Sequence, residues 1–187
     1  MRVRHSITCL YIPSNPFDLQ GSLILLFPMA ASSSSQRCRY HAFLSLRGAD
    51  TRKGFTDHLH RALDRAGIHT FRDDDEIERG AEIAAELERA IKESRVAIIV
   101  FSENYASSRW CLNELSMIME RKETDGYMVV PVFYKVDPSV VMWQSGSFSK
   151  AFANHEERFK EETGKVEEWR KALKDVAGLG GMVLGDR

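Results

Sequence analysis

Residues 96–101 (VAIIVF) and 128–133 (MVVPVF) are unbroken apolar runs rich in β-branched side chains, with no polar residue alternating through them. An alternating strand leaves one face in water. An unbroken one is buried on both faces, as happens when helices cover a parallel sheet from either side. The rest of the pattern agrees. Residues 41–46 read as a first strand, and Phe55, Leu59, Ala62, Leu63 and Ala66 recur at helical spacing before Gly67 ends the helix. Residues 68–71 read as a second strand, and Ile83, Leu87, Ala90 and Ile91 mark a second helix. A helix over 110–122 connects the two central strands, and Val166, Trp169, Leu173 and Val176 mark a last one. Residues 182–184 are the candidate for a further strand. Charge-dense residues 72–80 read as an exposed loop, and Pro-, Ser- and Gly-containing 137–149 as irregular. The expectation is an α/β fold: a doubly wound parallel sheet of four to five strands with helices on both faces.

Composition narrows the function classes. With 187 residues and 43% hydrophobic content, the chain suits one domain with a real core. A formal net charge of −1 supplies no general field for nucleic acid or an anionic membrane. Cys9, Cys38 and Cys111 lack CxxC spacing, so neither a disulfide framework nor a zinc site is indicated, and the six histidines are scattered without ligand spacing, so no metal is expected. Residues 1–39 differ in character: a basic start, an apolar run over 23–27 far short of the roughly 20 residues of a membrane span, and four serines after Met29-Ala30-Ala31. They read as a disordered leader or upstream extension, with Met29 an alternative initiator and the folded domain spanning 40–187. A cytoplasmic location is the default expectation, with nuclear or plastid targeting left open. No Gly-x-x-x-x-Gly-Lys-Ser/Thr motif occurs, so this chain carries no P-loop ATPase.

Glu114 stands out within the connecting helix. At about 100° per residue it falls on the apolar stripe beside Cys111, Leu115 and Ile118, away from Asn113, Ser116 and Glu120, with Trp110 one turn earlier. A desolvated carboxylate is tolerated when it pairs with something or acts on something. It is therefore either a working acid or a structural Glu satisfied by an Arg, and the helix alone does not separate the two.

In a doubly wound sheet ligands gather beyond the carboxyl ends of the strands where strand order reverses, commonly between the first and third. The first strand runs into Arg47-Gly48-Ala49-Asp50-Thr51-Arg52, and the third into Ser102-Glu103-Asn104-Tyr105, just ahead of Trp110 and Glu114. That places an arginine, a glycine turn, an aromatic ring and a carboxylate at one crevice.

The segments FLSLRGADTR (43–52), TFRDD (70–74), Arg79-Gly80, FSENYASSRWCLNEL (101–115), VFYKVDPS (132–139), QSGSF (144–148) and WRKAL (169–173) follow one another in order. Together they resemble a Toll/interleukin-1 receptor (TIR) domain of the plant disease-resistance class, over 40–187. The resemblance implies a flavodoxin-like fold and, on self-association, cleavage of the nicotinamide–ribose bond of NAD. NAD is then a substrate, and no cofactor is implied. The family's catalytic carboxylate maps onto Glu114. Breaking an N-glycosidic bond builds oxocarbenium character on the ribose, which a carboxylate can stabilise, and nicotinamide leaves as a neutral base without a general acid. Water would give ADP-ribose; capture by an adenine or another nucleotide would give cyclic or transferred products. Arg47, Gly48 and Trp110 are implied to line the NAD pocket, Arg47 as a fork donor to phosphate. Read bare, Arg47 has the lesser alternative of an ion-pair partner for Glu114 or the 73–76 loop, Trp110 is equally a core residue, and Gly48 only a turn glycine.

Self-association is implied at two surfaces. Asp57 and His58 lie on the outward face of the first helix with Arg61 and Arg65, and Asp73, Asp74, Arg79 and Gly80 belong to the loop after the second strand, which otherwise reads as solvated surface. Two different contact surfaces would let subunits propagate. Partners are thus expected to be other TIR domains, with nucleic acid not indicated. Departures from the family pattern are His41-Ala42 for Asp-Val, Leu46 for Phe, Ala49 for Glu, and the exposed-looking hydrophobes Met142-Trp143 where positive charge is usual. The rival reading is a non-enzymatic adaptor or oligomerisation module on the same fold. A phosphoacceptor receiver is disfavoured by Ser102 at the end of the third strand, and nucleoside deoxyribosyl transfer is a remote further possibility.

Overall fold

The computed structural model describes residues 38–51, 54–72 and 81–185. The leader reading therefore falls outside the described residues apart from Cys38 and Arg39. Strand β1 (Tyr40–Leu46) is followed by a short helix α1 (Gly48–Thr51) and then α2 (Phe55–Arg65), β2 (Thr70–Arg72), α3 (Ala81–Lys92) and β3 (Ser94–Phe101). A 3-10 turn (Tyr105–Ser107) leads into α4 (Arg109–Asp125), then β4 (Met128–Tyr134), α5 (Pro138–Trp143), α6 (Ser147–Arg158), α7 (Thr163–Ala177) and β5 (Met182–Leu184). The five strands are parallel in the order β2-β1-β3-β4-β5, the flavodoxin-like arrangement. Strand order therefore reverses between β1 and β3, as expected.

Burial explains the centre of the sheet. Along β3 every residue except Arg95 is buried, and in β1 the run from Ala42 to Leu46 is buried, so both strands carry helices on each face. The two edges, β2 and β5, are three residues each, which limits the exposed ladder they offer to another chain. At β5 the backbone comes close to β4: a Cβ on Gly181 would lie 2.4 Å from the Pro131 carbonyl oxygen, so only glycine fits.

Helix α4 has local signals at both ends. Ser108 Oγ accepts the backbone N–H of Cys111 at its start, and Gly126, at φ 67°, ends it in the left-handed conformation. Ser116 is buried in the structure, not solvated, because α4 is covered over more of its circumference than a single stripe. The second strand starts two residues later than its pattern indicated and ends one later, at Arg72, while Ile68 packs as a buried residue ahead of it.

Residues 137–149 are largely helical, not irregular. Asp137 Oδ1 accepts the N–H of Ser139 at 2.8 Å and Pro138 occupies the first turn, so Asp-Pro-Ser is a helix start, a reading that the Pro and Gly content obscured. Gln144 (φ 50°) and Gly146 (φ 59°) then turn the chain into α6. Met142, expected to be exposed, is half-buried against the core, whereas Trp143 is 69% exposed.

Candidate functional site at the carboxyl ends of β1 and β3

Glu114 is 2% exposed, on an apolar helix face that meets polar side chains from the strand ends. Ser45, fully buried near the end of β1, donates its hydroxyl hydrogen to Glu114 Oε2 at 2.8 Å. The Tyr105 hydroxyl, in the turn after β3, lies 3.0 Å from Ser45 Oγ and also donates to the Cys111 carbonyl oxygen at 3.0 Å. Cys111 Sγ donates to the Leu46 carbonyl at 3.5 Å. Burial, with Cys111 and Glu114 nearby, pushes the Tyr105 phenol well above its ordinary range, outweighing the Ser45 hydroxyl's opposite effect, so it remains a protonated donor. Alternation along β1 aims Ser45 to the face that α4 covers, and the helical turn between Cys111 and Glu114 brings both under the same strand end.

Beside this cluster, Asp50 ties the two strand ends together. Its Oδ2 accepts the Ser102 hydroxyl at 2.6 Å and the Asn104 N–H at 3.1 Å, and its Oδ1 accepts Arg47 Nη1 at 2.7 Å and Asn104 Nδ2 at 3.4 Å. Burial raises the Asp50 carboxyl, but the Ser102 hydroxyl, the Arg47 charge and the Asn104 donors outweigh it and hold it below the usual aspartate value. Asp50 was not singled out from sequence. The available signal was an acid four residues past one strand with Ser-x-Asn closing the other, which becomes a contact only through strand order.

The residues expected to line the pocket lie here in part. Arg47 follows β1 and bonds Asp50, Gly48 is buried at the start of α1, and half-buried Trp110 sits in the first turn of α4 with the Arg109 guanidinium 5.1 Å from its ring centroid. Trp110 is thus not a core residue. Phe55 and Tyr134 stack at 4.8 Å where α2 begins and β4 ends.

Of the self-association residues, His58 is exposed on α2. Asp57 is not free on the outward face, because it accepts Arg72 Nη1 at 2.7 Å and so fastens α2 to β2; that hydrogen bond holds its carboxyl below the ordinary value. Asp73, Asp74, Arg79 and Gly80 lie outside the described residues. Among the described residues no cluster of three or more metal-binding side chains occurs, and no helix is long and apolar enough to cross a membrane.

Comparison with known proteins gives this geometry a family. A family model described as TIR domain matches residues 39–185. The chain is 55% identical over 153 residues to TMV resistance protein N of Nicotiana glutinosa, covering 82% of this chain and 13% of that protein. It is 54% identical over 162 residues to disease resistance protein RPV1 of Vitis rotundifolia, covering 84% of this chain and 11% of the relative. The chain therefore spans only a small part of these relatives' length. Among solved structures it resembles the TIR domains of the activated Roq1 resistosome that directly recognises the pathogen effector XopQ, with a TM-score of 0.71 and 52% identity over 78% of this chain and 87% of that one. On the match of model, sequence and fold, the chain belongs to the TIR domain family, in the class found in plant disease-resistance proteins.

Proposed function

We propose that this TIR domain is an NAD nucleosidase of plant immune signalling, cleaving the nicotinamide–ribose bond when copies self-associate, with Glu114 as its catalytic carboxylate and no cofactor. The observation that carries the reading is a buried, hydrogen-bonded carboxylate at the β1/β3 crossover, where this fold presents ligands. In the proposed reaction the C1′–N bond breaks, its electron pair leaves with nicotinamide, and the pyridinium becomes a neutral base. Glu114 stabilises the positive charge that develops on the ribose. Water then adds at C1′ and loses a proton, giving ADP-ribose. Arg47 and Trp110 flank the same strand ends, one offering a fork of donors for phosphate and the other a flat apolar wall. At 2% exposure Glu114 is closed to substrate in a single copy, which supports catalysis gated by assembly. The resistosome context of the Roq1 relative supports self-association, as does the exposure of His58 on α2. We place the protein in the cytoplasm.

The same burial favours the second reading, a non-enzymatic interaction module in which Glu114 is a structural group satisfied by Ser45. Incubating the full chain with NAD at high concentration under crowding, and following nicotinamide release, separates the two. Release that vanishes in Glu114→Ala supports the enzyme. No release from folded, self-associated protein sinks it in favour of the module.

A further inference from the structure

Three hydroxyl contacts join β1, the turn after β3 and α4: Ser45 Oγ to Glu114 Oε2, Ser45 Oγ to Tyr105 Oη, and Tyr105 Oη to the Cys111 carbonyl. Only two hydroxyl hydrogens are available to fill them. An ionised carboxylate can only accept, and so can a carbonyl. With Glu114 ionised, the Ser45 hydrogen must therefore go to Oε2, and the Tyr105 hydrogen is shared between Ser45 Oγ and the Cys111 carbonyl. The orientation of Ser45 is thus dictated by the charge on Glu114, and the share of the Tyr105 hydrogen that falls on Ser45 Oγ polarises that hydroxyl and strengthens its donation to Oε2. Ser45 and Tyr105 are both fully buried, so water does not compete for these hydrogens.

We propose that Ser45, braced by Tyr105, is a positioning residue for Glu114: it pins Oε2 and favours the charged form, so that the carboxylate meets the ribose ionised and in one orientation. The role in catalysis rests on the nucleosidase reading above, while the hydrogen-bond chain does not. The groups that join Glu114 in this hydrogen-bond network include the Ser45 hydroxyl from β1 and the Tyr105 phenol from the turn after β3, with Cys111 one turn back on α4. The phenol, pushed up by burial, stays protonated through the working range.

The test uses the full chain carrying ¹³C-labelled glutamate, with the Glu114 carboxyl signal identified by its loss in Glu114→Gln. In Ser45→Ala the Glu114 titration midpoint is expected to rise by roughly one pH unit, the effect of losing one donor to a buried carboxylate. Tyr105→Phe should move it less, in the same direction, and Ser45→Thr, which keeps the hydroxyl, should hold it at the wild-type value. In the wild-type enzyme assay, Ser45→Ala should lower kcat roughly 10- to 100-fold with KM little changed, and shift the acid limb of the pH–rate profile upward. A serine that only filled space, without holding Oε2, would move neither the midpoint nor that limb. An unmoved midpoint in folded Ser45→Ala and in Tyr105→Phe overturns the proposal. If wild type releases no nicotinamide while the midpoint still moves, the nucleosidase reading fails and the positioning chain stands.

Discussion

Two buried regions of this molecule are built in opposite ways. At the carboxyl ends of β1 and β3 the buried groups are Ser45, Tyr105, Glu114 and Ser102, with Asp50 just above them, and they are held by hydrogen bonds. In the corner between α6 and α7 the buried groups are rings. Trp169 is 1% exposed, with His155 at 5.2 Å and Phe159 at 5.5 Å, both edge-on, and the Arg170 guanidinium caps Phe152 at 4.3 Å. Two ring nitrogens of that corner each make one hydrogen bond: Trp169 Nε1 donates to Asn113 Oδ1 at 3.0 Å, and His155 Nε2 donates to the Ala106 carbonyl at 2.8 Å. The aromatic corner gains stability from area and shape. The strand-end cluster recovers with its hydrogen bonds only about what desolvating its polar groups takes away, and what it gains is geometry. A site that must hold a carboxylate in one place is built like the strand-end cluster, and the stability that tolerates it comes from regions like the aromatic corner.

The comparison is broken most severely at Trp169. Trp169→Ala should destabilise the fold by about 3–5 kcal/mol, seen as a fall in Tm of about 10 °C or more; a fall of only a degree or two would show that the corner is not where the stability lies. Next in size is Asp50→Asn. It sets an amide N–H against the donors of Ser102, Asn104 or Arg47, and about 1–3 kcal/mol should be lost at neutral pH by urea unfolding. The same variant reports linkage. Because the folded-state carboxyl of Asp50 lies below its unfolded value, its stabilisation is complete above about pH 4 and is lost as pH falls through the lowered value. The gap between wild type and Asp50→Asn should therefore close in acid, and a gap constant from pH 7 to the acid end would exclude the ionised Asp50 as its source. The smallest effect sharpens the contrast from the other side. Thr56, fully buried in the first turn of α2, has a hydroxyl without a hydrogen-bond partner among the described residues. Thr56→Val should leave stability unchanged or raise it by up to about 1 kcal/mol, whereas a clear loss in calorimetry would mean that the hydroxyl is satisfied in solution.

Reading the chain by periodicity alone reaches much of this. The unbroken runs of β3 and β4 mark strands whose centres are buried on both faces, as in a parallel sheet covered by helices. Helical spacing alone places Glu114 among apolar neighbours, and its 2% exposure follows from that spacing. Local rules falter where a signal has two meanings. Asp137-Pro138-Ser139 can open a turn or a helix, and the side-chain cap that decides it forms only with the helix. Ser116 lies off the apolar stripe of α4 and yet is buried in the folded domain.

What tertiary structure alone decides is the identity of the partners. Ser45 and Glu114 are 69 residues apart, and Asp50 and Ser102 are 52 apart. Asp57 meets Arg72 only because α2 packs back across β2. No local pattern encodes such pairings, because they depend on β1 lying beside β3 and on the register that sets Leu46 opposite Val100. The sequence by itself determined the elements, the faces they bury and the buried acid, since each rests on a period of a few residues. The hydrogen-bond partners that hold that acid were decided by strand order, because side chains from distant segments acquire a distance only when the sheet has formed.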